Sequence, residues 1–440
     1  MTVPASPTVS LAEATRAWAR IAIHSFGGPA GQIATIHRVV VAERGWLTEA
    51  QFLHALGYCM LLPGPEAQQL VTYAGWRLHG VRGGLIAGSL FILPGFVAIL
   101  ALSIGYATFG QVAAVAAIFA GLKPAVFAIV MEALNRLGKR ALPDRWAIGF
   151  AAAAFLGIFA FGVPFPVIIA VAGLAGASLG RQAGSPLPPE PAGGPPPEPR
   201  SRPSIGSVAR TVALWLAVWF LPVIALLAVV GRDHILIRLA AFFSQTAVVT
   251  FGGAYSVLAY VAQEAVATFG WLSPAEMLDG LGLAETTPGP LIMVLQFVGY
   301  LAASRGMDGS PILAGVAGSV VTTWVTFAPC FLFVFAGAPY LEWLRGHRVL
   351  SAALAGIMAA VVGVVLNLTV WFALHVLFSE VTLTRIGPAE LLVPRWSSID
   401  LTAAFVATAA LIAVFRFRIG MFPTLALGAG LGLISLLLGR

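Results

Sequence analysis

Long runs without any charged residue constrain this sequence more than any other feature. No Asp, Glu, Lys or Arg occurs among the 40 residues from 83 to 122, or among the 35 residues from 146 to 180. A helix needs about 20 apolar residues to cross a bilayer, so each run is long enough for two membrane helices. Only 10% of the residues are charged, against about a quarter in soluble domains. We therefore predict an all-α polytopic membrane protein whose outer surface contacts the lipid bilayer.

A proline-rich segment divides the chain into two parts. Residues 181–204 contain nine prolines and almost nothing that a core would bury, which is typical of an exposed, extended linker. The predicted domains are an N-terminal transporter repeat at 1–180, a cytoplasmic linker at 181–207, a linking transmembrane helix at 208–232 and a C-terminal transporter repeat at 233–440.

The two parts share an internal repeat. The 40 residues from Phe26 align without gaps on the 40 residues from Phe251, and both stretches contain Phe-Gly-Gly, Gly-Trp-Leu and Pro-Gly-Pro at the same spacing. Each part is predicted to form six segments, near 11–44, 48–80, 83–109, 111–136, 146–161 and 164–180, and near 239–266, 274–304, 310–341, 349–378, 401–415 and 419–438. An even-numbered unit followed by one linking helix places the second unit upside down. We therefore expect an inverted-topology repeat, an architecture of transporters that bind substrate where the repeats meet.

The distribution of basic residues predicts the orientation in the membrane. Lys and Arg are enriched in cytoplasmic loops. With the N-terminus in the cytoplasm and the C-terminus in the periplasm of a bacterial inner membrane, 18 of the 25 basic residues fall on the cytoplasmic side. The net charge of +7 is therefore assigned to topology, and nucleic acid is not expected as a partner.

Each half contains two expected helix breaks, Phe-Gly-Gly and Pro-Gly-Pro. Proline lacks a backbone N–H and glycine adopts turns that other residues avoid, so a helix should stop at each motif, whether the segment re-enters or crosses the membrane. A helix that begins after a break presents unpaired N–H groups and a partial positive charge to an anion. Alternatively, Gly and Pro only permit kinks and close helix packing. The predicted substrate-binding residues at the breaks are Gly27, Gly28, Pro63, Gly64, Pro65, Gly252, Gly253, Thr287, Pro288, Gly289 and Pro290.

Two ionisable residues occur in only one half. Lys123 lies in the middle of an apolar segment and aligns with Met358; a central lysine costs about 2.5–3.5 kcal/mol to insert, which makes it a predicted anion ligand. The alternative is a structural ion pair, with Glu66 as the partner considered. Glu66 follows the first Pro-Gly-Pro and aligns with Leu291. It is predicted either to carry a coupling proton or to cap the helix that begins there.

Catalytic and cofactor motifs are not found in the sequence. No His, Cys and carboxylate group has the spacing of a metal site, and there is no nucleophile motif or phosphate-binding loop. We predict no metal, no cofactor and no enzymatic activity.

The segments FGGPAGQIATIHR, LLPGPEAQQLVTYAGW, FGGAYSVLAYV and TTPGPLIMVLQFVGY resemble the signature segments of the chromate ion transporter family, in particular its long-chain, two-domain bacterial members. The resemblance covers nearly the whole chain. It implies secondary active export of chromate, with sulfate as a related or competing anion, driven by the membrane potential or the proton gradient and conferring chromate resistance.

Three alternatives to chromate export stay open at the level of the sequence. The first is transport of sulfate or another oxyanion, including uptake coupled to protons. The second is a channel-like anion conduit without alternating states. The third is a membrane enzyme or an assembly subunit, which the missing catalytic motifs disfavour. Formation of a homodimer is also left open.

Overall fold

The computed structural model describes residues 9–182, 205–251, 253–338 and 348–438. Most of these residues are helical. The helices of the first half are α1 Leu11–Ile23, α2 Gly28–His37, α3 Glu49–Cys59, α4 Glu66–Phe109, α5 Ala113–Ala141, α6 Arg145–Phe161 and α7 Phe165–Gln182. Helix α8, Ile205–Val230, follows the predicted linker, most of which lies outside the described residues.

The second half repeats the order of the first. Its helices are α9 Ile235–Val249, α10 Ala254–Gln263, α11 Pro274–Thr286, α12 Val294–Gly306, α13 Pro311–Gly337, α14 Arg348–Leu377, α15 Leu401–Phe415 and α16 Met421–Leu437. Long helix α4 corresponds to the pair α12 and α13, since its backbone leaves helical geometry at His79 and Gly80. The first half therefore has a kink where the second half has a loop.

Local signals explain why the two halves begin their helices alike. Helices α3 and α11 both start with a capping box, in which Thr48 bonds with Gln51 and Ser273 with Glu276. In this motif the cap hydroxyl and the side chain three residues later each satisfy a free backbone N–H. Helices α2 and α10 both continue into a π-helical turn before that box, at Arg38–Glu43 and Glu264–Thr268.

The structure confirms an all-helical membrane protein as the fold class. Within the described residues, five helices are long and apolar enough to cross a membrane, namely α4, α5, α8, α13 and α14, and several shorter apolar helices accompany them. One element was not predicted: strands β1 Val381–Ile386 and β2 Ala389–Pro394 form an antiparallel hairpin between α14 and α15. The sequence had assigned residues 379–400 to a connection, which is where the hairpin lies.

Close contacts between small residues join the two halves. Helix α5 of the first half packs on α16 of the second, where Gly121 meets the backbone of Gly428. Helix α14 of the second half packs on α7 of the first, where Gly356 meets the backbone carbonyl of Ala172. Small residues allow helix backbones to approach closely, which drives helix association in lipid. Each half therefore completes its packing with the last helix of the other half.

Candidate functional site

All four expected helix breaks are present. Helix α1 ends before the first Phe-Gly-Gly and α2 begins at its last glycine, whereas α9 and α10 stop and start on either side of the second. Helices α3 and α11 end shortly before the two Pro-Gly-Pro motifs, and a new helix begins directly after each motif. Gly252, one of the predicted binding residues, lies outside the described residues.

Backbone hydrogen bonds connect the two kinds of break across the halves. The N–H of Gly64 donates to the carbonyl oxygen of Thr250 over 2.8 Å, and the N–H of Gly289 donates to that of Ser25 over 2.9 Å. Gly64 and Gly289 are the central residues of the two Pro-Gly-Pro motifs, and Ser25 and Thr250 each precede a Phe-Gly-Gly. The structure thus joins the four breaks in two reciprocal pairs.

The same two glycines also pack against a long helix of the other half. A Cβ placed on Gly64 would lie 2.9 Å from the sulfur of Cys330 in α13. A Cβ placed on Gly289 would lie 3.1 Å from the Cα of Gly95 in α4. Their φ angles are +122° and +92°, a region that residues with a side chain rarely adopt. Glycine is therefore required at both positions by the backbone conformation and by the close approach.

Two buried glutamines hold the carbonyl groups that the breaks set free. The amide nitrogen of Gln69 donates to the carbonyl oxygen of Pro63, and that of Gln32 donates to the carbonyl oxygen of Gly289, each over 2.7 Å. Buried backbone groups need such partners because an unpaired one is costly in an apolar interior. Neither glutamine was among the site residues predicted from the sequence.

The helices that follow the breaks begin without a side-chain cap. Their N-cap residues are Gly27, Pro65, Gly253 and Pro290, and none of them provides a side-chain acceptor for the N–H groups of the first turn. By contrast, Ser10, Thr48, Asp144, Ser273, Ser310 and Asp400 cap other helices with a side-chain oxygen. Uncapped N-termini leave N–H donors and partial positive charge available to an anion.

The hydroxyl groups beside the breaks bond to their own helices. Thr287 donates to the carbonyl oxygen of Ala284 over 3.1 Å, and Ser25 and Thr250 donate to carbonyl oxygens four residues earlier. This is the usual behaviour of Ser and Thr in membrane helices. The oxygen lone pairs of these residues remain, but their protons are already used within the helix.

Glu66 begins α4 and approaches the second Phe-Gly-Gly. Its Oε1 lies 3.6 Å from the position of a Cβ on Gly253, so the carboxylate stands next to the start of α10. It also occupies the first turn of its own helix, where a negative charge is favourable. The basic residue that acts on it electrostatically is Arg140, at the end of α5.

Lys123 forms an ion pair with Asp279 and not with Glu66, so the partner considered from the sequence was wrong. The Nζ of Lys123 lies 3.3 Å from Oδ1 of Asp279, and the hydroxyl of Tyr106 donates to Oδ2 over 2.8 Å. The reason is geometric: α11 packs on α5 and brings Asp279 to Lys123, whereas Glu66 lies at the start of α4 beside Gly253. Asp279 was missed, although an ionisable residue within the apolar run MLDGLGLA was a signal for it.

A second buried carboxylate lies beside the first Phe-Gly-Gly. Glu285, at the end of α11, is 2% exposed and accepts a hydrogen bond of 2.8 Å from the hydroxyl of Tyr255. That hydroxyl lies 3.6 Å from the position of a Cβ on Gly28. Within the described part of the chain, the other oxygen of Glu285 has no hydrogen-bond partner. Each Phe-Gly-Gly break therefore has a carboxylate from a neighbouring Pro-Gly-Pro segment close by.

Both halves of the chain match one family of known proteins. The family model described as "Chromate transporter" matches residues 12–177 and 237–433, which fall in the two halves. This chain belongs to the chromate transporter family. It is therefore a membrane transporter and not an enzyme. The resemblance noted in the Phe-Gly-Gly and Pro-Gly-Pro segments is confirmed, including the length expected of a two-domain member.

Curated relatives cover most of the chain. It is 32% identical over 365 residues to the chromate transport protein of Pseudomonas aeruginosa, with 82% of this chain and 80% of the relative covered. It is 24% identical over 434 residues to the chromate transport protein of Cupriavidus metallidurans, with 98% and 95% covered. A probable chromate transport protein of Synechococcus elongatus is 27% identical, with 82% and 84% covered. No solved structure matches.

Proposed function

We propose that this protein is a secondary active transporter that exports chromate across the bacterial inner membrane and thereby confers chromate resistance. Two relatives that match more than three quarters of their length are called chromate transport proteins, which supports chromate as the substrate. The driving force is the membrane potential, the proton gradient or both.

The charge of chromate supports the outward direction. Moving one charge across 100 mV is worth about 2.3 kcal/mol, so a dianion that leaves a negative interior gains about 4.6 kcal/mol. This free energy sustains a concentration ratio of about two to three thousandfold. Uptake of the same dianion would have to work against it.

An inverted-topology repeat with alternating access is the architecture we propose. The reciprocal hydrogen bonds from Gly64 to Thr250 and from Gly289 to Ser25 support a twofold relation between the halves, because such a relation generates one bond from the other. The linking helix α8 between two even-numbered units supports the inversion of the second half. Helices α2, α3, α11 and α12, which flank the breaks, have 10 to 13 residues and are too short to span a bilayer, which favours re-entrant hairpins. The proposed N-terminus is cytoplasmic and the C-terminus periplasmic.

Substrate binding is proposed at Lys123 and at the N–H groups in the first helical turn after each of the four breaks, with the break residues shaping the site. The first-half residues are Gly27, Gly28, Pro63, Gly64 and Pro65, and those of the second half are Gly252, Gly253, Thr287, Pro288, Gly289 and Pro290. Glu66 is the proposed proton-coupling residue; its place beside the start of α10 supports a role there, and its place in the first turn of α4 supports a capping role equally.

Transport of labelled chromate and labelled sulfate into inverted membrane vesicles tests the proposal. The membrane potential and the pH gradient are set separately, and vesicles with a non-transporting Gly289→Pro variant serve as the control. We expect chromate to accumulate when the vesicle interior is positive. Accumulation that ignores both gradients would refute secondary transport. Faster transport of sulfate than of chromate would identify sulfate as the substrate. If unlabelled anion on the opposite side of the membrane does not stimulate uptake of labelled anion, a channel is favoured.

A further inference from the structure

The ion pair between Lys123 and Asp279 places a carboxylate where the proposed anion would bind. Asp279 faces two groups at once: its Oδ1 forms an ion pair with the ammonium of Lys123 at 3.3 Å, and its Oδ2 accepts a hydrogen bond of 2.8 Å from the hydroxyl of Tyr106. Its side chain is 6% exposed, whereas that of Lys123 is 22% exposed. Lys123 is thus the more exposed member of the pair, and Asp279 is almost fully enclosed. Both residues lie at the junction of α5 with α11, between the halves.

The charges around Asp279 leave Lys123 as its main counterion. On its own helix, Glu276 lies one turn earlier and is paired with Arg305 of α12. Helix α4 contributes Tyr106. Helix α16 contains no ionisable residue, and α14 has none between Arg348 and His375. Loss of the negative charge on Asp279 would therefore leave Lys123 free of its partner.

Carboxylates and oxyanions compete for the same donor. Both accept hydrogen bonds from an ammonium group, and the positive charge of that group strengthens these hydrogen bonds. A dianion bound at Lys123 would stand at contact distance from the Asp279 carboxylate, and like charges at that distance disfavour each other. A proton on Asp279 removes the competition for Lys123 and the repulsion together.

Building on the proposed function, we propose that Asp279 binds a proton when Lys123 binds the oxyanion, so that one proton and one anion occupy the junction together. The proton comes from the aqueous phase to which the site is open and leaves with the anion on the other side, which restores the ion pair. Asp279 is thus a positioning residue that holds Lys123 in the empty state and releases it to substrate.

This linkage fixes the direction in which the proton moves relative to the anion. A proton on Asp279 travels with the anion, and the loaded site carries one net negative charge instead of two. At 100 mV and equal pH, the potential then sustains about a fiftyfold ratio instead of about two to three thousandfold.

The test is the pH dependence of sulfate binding to the purified full-length protein in detergent. Sulfate is the probe because it stays a dianion near neutral pH, whereas chromate itself takes up a proton there. If sulfate does not bind, chromate is used instead, and the binding data are corrected for the protonation of free chromate. Proton linkage at one site weakens binding by up to tenfold per pH unit as the pH rises. We expect this slope in the wild type and a flat profile in Asp279→Asn, which should bind more tightly than the wild type at high pH.

Matched variants separate this linkage from other effects. Glu276→Gln removes a neighbouring carboxylate of the same helix and should keep the slope. A slope that survives in Asp279→Asn overturns the proposal. A wild type that binds neither sulfate nor chromate at any pH would instead refute the proposed function.

A second measurement does not depend on a variant that folds. Adding sulfate to the wild-type protein in weak buffer with a pH dye should cause uptake of up to one proton per bound sulfate. The double variant Lys123→Met/Asp279→Asn, which removes both charges, should neither bind sulfate nor take up the proton. Binding of sulfate by the wild type without proton uptake at any pH overturns the proposal.

Discussion

Replacement of the central glycine in each Pro-Gly-Pro motif should destabilise the protein through contacts between its halves. The variants are Gly64→Ala and Gly289→Ala. An alanine at a positive φ angle costs about 1–3 kcal/mol in backbone strain. Insertion of a methyl group into a closely packed site costs about 1–3 kcal/mol more. The sum is about 2–6 kcal/mol for either variant.

The two sites should differ because their neighbours differ. A Cβ on Gly64 would lie 2.7 Å from the side-chain nitrogen of Gln69 and 2.9 Å from the sulfur of Cys330, and side chains can move away. A Cβ on Gly289 would lie 3.1 Å from the Cα and 3.2 Å from the nitrogen of Gly95, so that a whole helix has to shift. We therefore expect Gly289→Ala to be the more damaging of the two.

The chain offers matched controls for this prediction. Gly45 and Gly270 have φ angles of +61° and +60°, and a Cβ on either would meet no atom within 4 Å. Gly45→Ala and Gly270→Ala should therefore show the strain alone, about 1–3 kcal/mol. The four variants are compared with the wild type by thermal unfolding in detergent and by chromate transport. If Gly64→Ala and Gly289→Ala unfold at the same temperature as the two controls, the close approach between the halves is refuted.

Three further predictions concern single side chains of the site. Lys123→Met, which copies the residue of the second half, should weaken sulfate binding at least tenfold and leave membrane insertion intact; equal affinity would make the lysine structural. Glu66→Gln should abolish transport driven by a pH gradient and keep transport driven by the membrane potential, both measured in the same vesicles. If the response of transport to the pH gradient is unchanged, Glu66 only caps helix α4. Gln32→Leu should lower the stability to thermal unfolding by about 1–3 kcal/mol, because the carbonyl of Gly289 loses its partner; an unfolding temperature equal to that of the wild type would contradict this.

Features set by local chemistry could be predicted from the sequence. Charge-free runs indicated the membrane class, and Pro and Gly fixed the helix breaks, because both residue types act on their own backbone. The pairing of α5 with α16 and of α14 with α7 could not be read in the same way. Apolar helices of similar length do not specify their neighbours by composition, since packing in lipid depends on the shape of small-residue contacts.

The partner of Lys123 shows the same limit at the level of the site. The free energy needed to insert Lys123 into an apolar segment indicated that its charge would be paired. Asp279 is also an ionisable residue in an apolar helix, α11. Sequence distance gave no reason to connect positions 123 and 279, which come from different halves. Glu66 was considered because it lies within the same half. The correct pair became visible only when α11 was seen to pack on α5.

The two halves share their backbone breaks but not their charges, and this has a physical reason. Lys123, Glu66 and Asp279 align with Met358, Leu291 and His54. A fully symmetric junction would face each carboxylate with a copy of itself across the axis, and like charges in an apolar interior repel strongly. A second central lysine would add its own insertion cost and would hold the dianion more firmly in both states, which slows release. Duplication therefore supplies the uncapped helix N-termini twice. The charges occur once, as the cation of Lys123 and the carboxylate of Asp279, which the substrate anion displaces in the proposed cycle.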